Sequence, residues 1–302
     1  MQITRRQFLA TATASALLPR ALWANTSLTL GGLQIDTLSD GHLMLPGDFI
    51  LGGMPPVEAA DIIARYGLDT QSLTPPCNVT LARIGDRRVL FDVGAGPDFQ
   101  PTAGKLMDAL DALQTSPDEI TDVIFTHAHP DHLWGLLDEF DEPVFANATH
   151  RIGQTEFDYW TDPNTVSTIG DARTTFAVGA ARRLEAIKDQ LVFFKDGDEV
   201  LSGISARATL GHTPGHMAFE LREGTQSLMV VGDAIGNHHV AFERPEWASG
   251  SDQDGETAAK TRVSLLDQLA TDQTLLIGFH LSDGGIGRAE RKDGGYRFTS
   301  EI

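Results

Sequence analysis

Asp122-Val-Ile-Phe-Thr126 runs directly into His127-Ala-His129-Pro-Asp131-His132. The first five residues read as a short buried strand, apolar at its centre and ending where the histidines begin. In extended backbone, residues i and i+2 point to the same side, so His127 and His129 can grasp one ion together. Pro130 cannot continue a ladder, and it turns the chain so that Asp131 and His132 face a second ion. Imidazole and carboxylate donors without thiolate suit Zn²⁺, with Mn²⁺ or Fe²⁺ as further options.

Working outward from that cluster, three more candidates sit at the ends of predicted strands. His212 follows Arg207–Leu210 within Gly211-His-Thr-Pro-Gly215, Asp233 follows Leu228–Val231, and His280 follows Leu275–Ile277. Strand ends at one edge of stacked sheets are where ligands distant in sequence converge. Counting ligands gives one ion to His127, His129 and His212, and the other to Asp131, His132 and His280. Asp233 would bridge them at the roughly 3.5–4 Å usual for two-metal sites. Each of the two divalent ions, Zn²⁺ by preference, then keeps a position open for water, as catalytic zinc requires. Such water ionises near pH 7, and attack by the bridging hydroxide on a polarised substrate oxygen is the expected chemistry. Asp233 and Asp131 are therefore the catalytic carboxylates, Asp131 also steering the proton that the nucleophile loses. Asp92, at the end of Arg88–Val93, is placed to accept a hydrogen bond from a ligand imidazole. His216, His238 and His239 read as pocket or surface histidines, not ligands, and His42 and His150 carry no assigned role.

The wider chain alternates in the manner of half-buried strands from Ser27, with Leu28, Leu30, Leu33, Ile35 and Leu38. Residues 39–78 are rich in Gly and Pro, with a helical run over Val57–Tyr66, and read as a long surface excursion. Strands are expected at Val79–Ile84, Arg88–Val93, Val144–Ala146, Leu191–Phe194, Ile204–Leu210, Met217–Leu221, Ser227–Val231 and Thr274–Ile277. Helices are expected over Leu106–Leu113 and Glu256–Leu269. With no repeat and no low-complexity linker, the pattern is α/β (α+β): one domain of two stacked sheets with helices outside.

Among 302 residues, 42 acids face 23 Lys and Arg, a formal charge of −19. Residues 1–24 carry Arg5, Arg6 and Arg20 and no acid, so the chain without them stands three charges lower, at −22. A surface this acidic repels phosphate backbones and anionic lipid, which disfavours nucleic acid and membranes as partners. The single cysteine, Cys77, excludes an internal disulfide and a cysteine-based cluster, and reads as a small residue of a Pro-rich loop. Thr4-Arg5-Arg6-Gln7-Phe8-Leu9, a modest apolar stretch and Ala21-Leu-Trp-Ala24 resemble a twin-arginine export signal. The expected division is a signal over 1–24 and a hydrolase domain over 25–302, with a periplasmic or secreted product.

The His-x-His-x-Asp-His cluster followed by His212, Asp233 and His280 resembles the metal signature of the metallo-β-lactamase superfamily. Within it the gaps of 83, 21 and 47 residues, and the tail Ile286-Gly-Arg with Gly294-Gly-Tyr-Arg-Phe298, are similar to the branch of methyl parathion hydrolase and related lactonases and aryl esterases. The resemblance implies an αββα four-layer sandwich of two mixed sheets flanked by helices, a binuclear zinc-type site and often a homodimer. It also implies an aromatic leaving-group pocket, matched here by Phe99, Trp160 and Phe176. The loop over 39–78 departs from that branch. The substrate expected is a small lactone, aryl ester or phosphotriester. A glyoxalase-type thioester hydrolase shares all seven ligands but would want a basic C-terminal patch. A true β-lactamase lacks the counterpart of Asp233, a nuclease conflicts with the charge, and a dioxygenase would carry one iron. A non-catalytic binding module would be expected to have lost ligands.

Overall fold

Side-chain alternation within each strand settles which layer lies on which face. A computed structural model describes residues 26–301, so the export signal expected over 1–24 lies outside the described residues. β1 (Thr26–Leu30) and β2 (Leu33–His42) form a hairpin. β3 (Leu45–Pro46), helices α1 (Gly47–Leu51) and α2 (Pro56–Arg65), and β4 (Ser72–Leu73) follow as an excursion in which β3 pairs only with β4. β5 (Pro76–Ile84), β6 (Arg87–Phe91), α3 (Leu106–Ala112), β7 (Asp122–Ile124), α4 (Pro130–Leu133) and β8 (Thr149–Gly153) come next. α5 (Gln154–Thr161), α6 (Thr165–Thr168), α7 (Thr174–Ile187) and β9 (Val192–Phe194) complete this half. Its sheet has the order β1-β2-β5-β6-β7-β8-β9, antiparallel up to β6 and parallel from β6 to β9.

The second sheet is built wholly from the rest of the chain. It comprises β10 (Glu199–Leu201), β11 (Ile204–Ala208), β12 (Met217–Glu223), β13 (Gln226–Gly232), β14 (Leu275–Gly278), β15 (Ile286–Lys292) and β16 (Gly295–Ser300), in sequence order. Only β13 and β14 run parallel. Their connection carries α8 (Val240–Glu243) and α9 (Gly255–Asp272), as a parallel crossover requires.

Alternate residues of one strand serve different cores. Val89, Phe91 and Ile124 point between the sheets, where they meet Phe219, Leu228, Val230 and Ile277. Their neighbours Leu90, Val123 and Phe125 pack outward with Leu110, Ala177 and Leu184 of α3 and α7. In the second sheet Met229, Val231 and Leu276 pack outward with Leu265, Leu266 and Leu269 of α9. The result is the four-layer α-β-β-α sandwich expected, with two mixed sheets. Burying one such side chain contributes about 1.5–3 kcal/mol, so period-2 alternation over two apolar faces fixes both register and layer order.

Three local expectations change. Val144–Ala146 is a turn, not a strand: Pro143 has no N–H for a ladder, and only an isolated bridge joins it to Leu137. Cys77 lies inside β5, fully buried, not in a loop. Residues 39–78 are not merely a surface excursion: their apolar side chains close over one end of the sandwich, with Ile50, Ile62, Ile63 and Leu73 forming a small core of their own.

Candidate metal centre

The proposed ligands issue from strand ends of both sheets. β7 delivers the segment 126–132, and His127 and His129 precede α4 in non-helical backbone, His129 at φ −66° and ψ 160°. Pro130 occupies the first turn of α4, where its missing N–H costs nothing, and starts the helix that carries Asp131 and His132. The loop joining β11 to β12 gives His212, the end of β13 gives Asp233, and the end of β14 gives His280. Gly232, at φ +51°, makes the sharp exit before Asp233. A Cβ there would lie 2.7 Å from His216 Nε2, so the approach admits only glycine.

All seven side chains converge and are buried. His129 Nδ1 lies 2.9 Å from His212 Nε2. One oxygen of Asp233 lies 3.3 Å from His132 Nε2, and the other lies 3.3 Å from both His212 Nε2 and His280 Nε2. Asp131 Oδ2 is 3.2 Å from His280 Nε2 and 3.5 Å from His132 Nε2. Asp233 thus touches both halves of the cluster, as a bridging carboxylate must. His127 Nε2, His132 Nε2, Asp131 Oδ2 and Asp233 Oδ1 are buried with no hydrogen-bond partner. Orphaned donors of this kind, turned toward one another, fit divalent cations. His127, His129 and His212 form one group able to hold an ion, and His127, His132 and Asp233 another.

Outer partners fix which nitrogen of each ring faces inward. Asp92 accepts from His132 Nδ1 at 2.8 Å and from the N–H and hydroxyl of Thr126, both at 2.8 Å. Thr126 Oγ1 in turn lies 3.0 Å from His127 Nδ1. Asp252 accepts from His212 Nδ1 at 3.0 Å and is ion-paired with buried Arg262 at 3.3 Å. His280 Nδ1 donates to the Pro76 carbonyl at 2.8 Å. His216 is buried but not at the centre: its Nε2 accepts the Asp233 N–H at 3.0 Å, and its Nδ1 is 2.8 Å from Thr209 Oγ1. His239 caps α8 by accepting from Val240 N. His42 is exposed at the end of β2, and His150 stacks on Phe125.

Burial holds His127 and His129 well below the usual imidazole range, so both are neutral and available as donors. Burial would also depress His132, but Asp233, Asp131 and Asp92 outweigh it and raise His132 to about 10. The same balance, led among the raising influences by Asp233, lifts His280 well above its ordinary value. A cation entering this half displaces protons.

Glu156 of α5, Asp252 and Cys77 were not legible as site residues. Glu156 is fully buried and accepts four hydrogen bonds: from Ala128 N at 2.9 Å, Trp160 Nε1 at 2.6 Å, Thr213 Oγ1 at 2.7 Å and Gly215 N at 3.0 Å. It therefore ties the His127–His132 segment to the His212 loop. Cys77 lies with Asp131 and His280, the candidate ligand atoms of all three within 4.8 Å of one another. Burial pushes its thiol up to about 12, so it is neutral.

The cavity over the cluster has a volume of about 240 Å³. Its floor is His129, Asp131, His212, Asp233 and His280, and Leu43, Phe49 and Ile50 of the excursion roof it. Phe99 and Phe176 line it as expected, their rings 5.8 Å apart. Trp160 does not. It is 1% exposed, stands edge-on to His129 at 5.6 Å, and has its indole N–H committed to Glu156.

A two-sheet sandwich with a His/Asp cluster at its strand ends defines a class, and the comparisons agree. Residues 74–280 match the family profile of the metallo-beta-lactamase superfamily, and the chain belongs to it. It is a metal-dependent hydrolase of that fold. The solved structure of the hydrolase AbOPH, of the beta-lactamase superfamily, is 28% identical with a TM-score of 0.85, covering 92% of this chain and 97% of that one. AidC, a dizinc quorum-quenching lactonase solved with the product N-hexanoyl-L-homoserine, is 25% identical with a TM-score of 0.86 over the same shares. An uncharacterised protein of Mycobacterium bovis is 28% identical over 225 residues, covering 72% of this chain and 89% of the relative.

Proposed function

We propose that the protein uses two divalent cations, Zn²⁺ by preference, to hydrolyse a small neutral lactone, aryl ester or phosphotriester. The observation that carries this reading is the double contact of Asp233 with the His132 side and with His212 and His280. His127, His129 and His212 would hold one ion, Asp131, His132 and His280 the other, and Asp233 both. Ions held by these residues would supply Lewis acidity toward the substrate oxygen and lower the pKa of water at the site toward neutral. Asp131, on the cavity floor, takes up the proton shed by the attacking water and returns it to the leaving oxygen.

The cavity wall selects among substrates. Among the described residues no Lys or Arg lines it; apart from the clustered His and Asp residues its polar side chains are Gln100 and Ser251. A glutathione thioester, which brings carboxylates of its own, would find no Lys or Arg on that wall. A neutral ester with an apolar arm is accommodated by Leu43, Phe49, Phe99 and Phe176. The similarity to AidC, a lactonase, supports the lactone member of the class.

The metal-loaded protein is expected to hydrolyse p-nitrophenyl acetate, dihydrocoumarin or paraoxon, and to lose that activity on chelation. Full metal occupancy with no cleavage of any of the three would sink the reading. Asp233→Ala should bind fewer than two ions per chain and lose at least about 10²-fold in kcat, as losing a charge-stabilising group does. Unchanged metal stoichiometry and rate in that variant would exclude the bridging role.

A further inference from the structure

Glu156, fully buried on α5, takes two donors on each carboxylate oxygen. Oε1 accepts from Ala128 N at 2.9 Å and Trp160 Nε1 at 2.6 Å, and Oε2 from Thr213 Oγ1 at 2.7 Å and Gly215 N at 3.0 Å. Ala128 lies between His127 and His129, and Thr213 follows His212. One side chain therefore clamps the backbone beside every member of the His127, His129 and His212 group. The approach is tight: a Cβ on Gly215 would lie 2.2 Å from Glu156 N, so only glycine lets the His212 loop reach α5. Trp160, held by the same carboxylate, backs His129 edge-on at 5.6 Å.

The other half of the cluster is oriented by different groups. Asp92 accepts from His132 Nδ1 at 2.8 Å, and the Pro76 carbonyl accepts from His280 Nδ1 at 2.8 Å. None of the four donors to Glu156 adjoins Asp131, His132 or His280 in sequence.

Resting on the two-cation reading above, we infer that Glu156 is a positioning residue for one cation position alone. It presets His127, His129 and His212, while Asp131, His132 and His280 are set without it. The reason lies in the count of donors. A carboxylate accepts at both ends, whereas a glutamine amide would turn its NH₂ toward two of the four donors. The Thr213 hydroxyl can reverse and accept, but a backbone N–H cannot. Glu156→Gln thus leaves at least one of the Ala128 and Gly215 N–H groups buried without an acceptor, and the segment that carries it shifts to find one.

Two backgrounds that each keep a single cation position test this. His280→Ala disables one position and His212→Ala the other, and Zn²⁺ affinity of the metal-stripped protein is read by competition with a chromophoric chelator. Adding Glu156→Gln to His280→Ala should weaken Zn²⁺ binding about tenfold or more, as losing a group that orients metal-binding side chains does. Adding it to His212→Ala should leave the affinity unchanged, whereas general damage to the fold would weaken both alike. Thr213→Val, which removes one donor at nearly constant volume, should act in the same direction, and Thr213→Ser, which keeps the hydroxyl, should not. If circular dichroism shows that Glu156→Gln does not fold, the two Thr213 variants decide by the same criterion. Equal losses in both backgrounds, a loss confined to His212→Ala, or no loss in either overturns the inference. Wild-type protein that binds fewer than two Zn²⁺ per chain would instead strike the two-cation reading itself.

Discussion

Phe176 and Trp160 both stand within 6 Å of His129, yet only Phe176 borders the cavity. The difference is visible in a substitution pair. Phe176→Ala should raise KM for aryl esters more than for aliphatic lactones, at little cost in stability. Trp160→Ala removes a fully buried ring and one of the four hydrogen bonds to Glu156, so it should cost about 3–5 kcal/mol of stability in denaturant unfolding. An aryl-selective KM effect from Trp160→Ala, with stability intact, would reverse this assignment. The seven clustered His and Asp residues were readable in the sequence because metal chemistry permits few residue types and strand ends permit few positions. Glu156 and Asp252 were not, since one acid in a helix or polar loop has no spacing that sets it apart. What makes them matter is a partner 28 or 40 residues away, Ala128 or His212. The aromatic pocket was partly readable, but no sequence pattern distinguishes a ring facing a cavity from one facing a ligand's back.

At the scale of elements, the tip of β2 anchors the loops that frame the cavity. Asp40 is buried and accepts from Ala95 N at 2.8 Å, Gly104 N at 3.1 Å and Leu106 N at 2.7 Å, joining β2 to the start of α3. Burial outweighs these bonds and lifts its carboxyl from 3.8 to about 6. Between those values the folded chain holds a proton that the unfolded chain has shed, so this group's contribution falls as pH rises from about 4 to 6. Above pH 6 the charge costs about 3 kcal/mol, at roughly 1.4 kcal/mol per pH unit. Unfolding free energies of the wild type minus those of Asp40→Asn should slope downward across that window and level off above it. A flat difference would show that Asp40 titrates normally. The strand and helix pattern was legible wherever alternation was strong, as in β2, β6 and β13. It failed at Val144–Ala146, where Pro143 denies the ladder a donor, and it passed over α5, which buries only Glu156 and Trp160, and α7, half of whose buried face is Ala and Gly.

For the whole molecule, the N-terminal Arg5-Arg6 pair sets the remaining expectation. We propose that the chain leaves the cytoplasm folded, and that replacing both arginines by lysine retains it inside a bacterial host. Fractionation of the host decides the matter: equal periplasmic yield from the two versions would exclude the twin-arginine route. Among the described residues no helix is long and apolar enough to cross a membrane.

The division of labour between the sheets has its own outcome. Apart from the small β3–β4 pair, the described strands up to Phe194 build one sheet and those from Glu199 build the other, while four of the seven clustered His and Asp side chains come from the first half and three from the second. Cations held there, as proposed, would act as rivets through a seam that the backbone crosses once among the described residues. A chain nicked in the Lys195–Asp198 turn would remain a functional heterodimer of its own halves for as long as the rivets stay in.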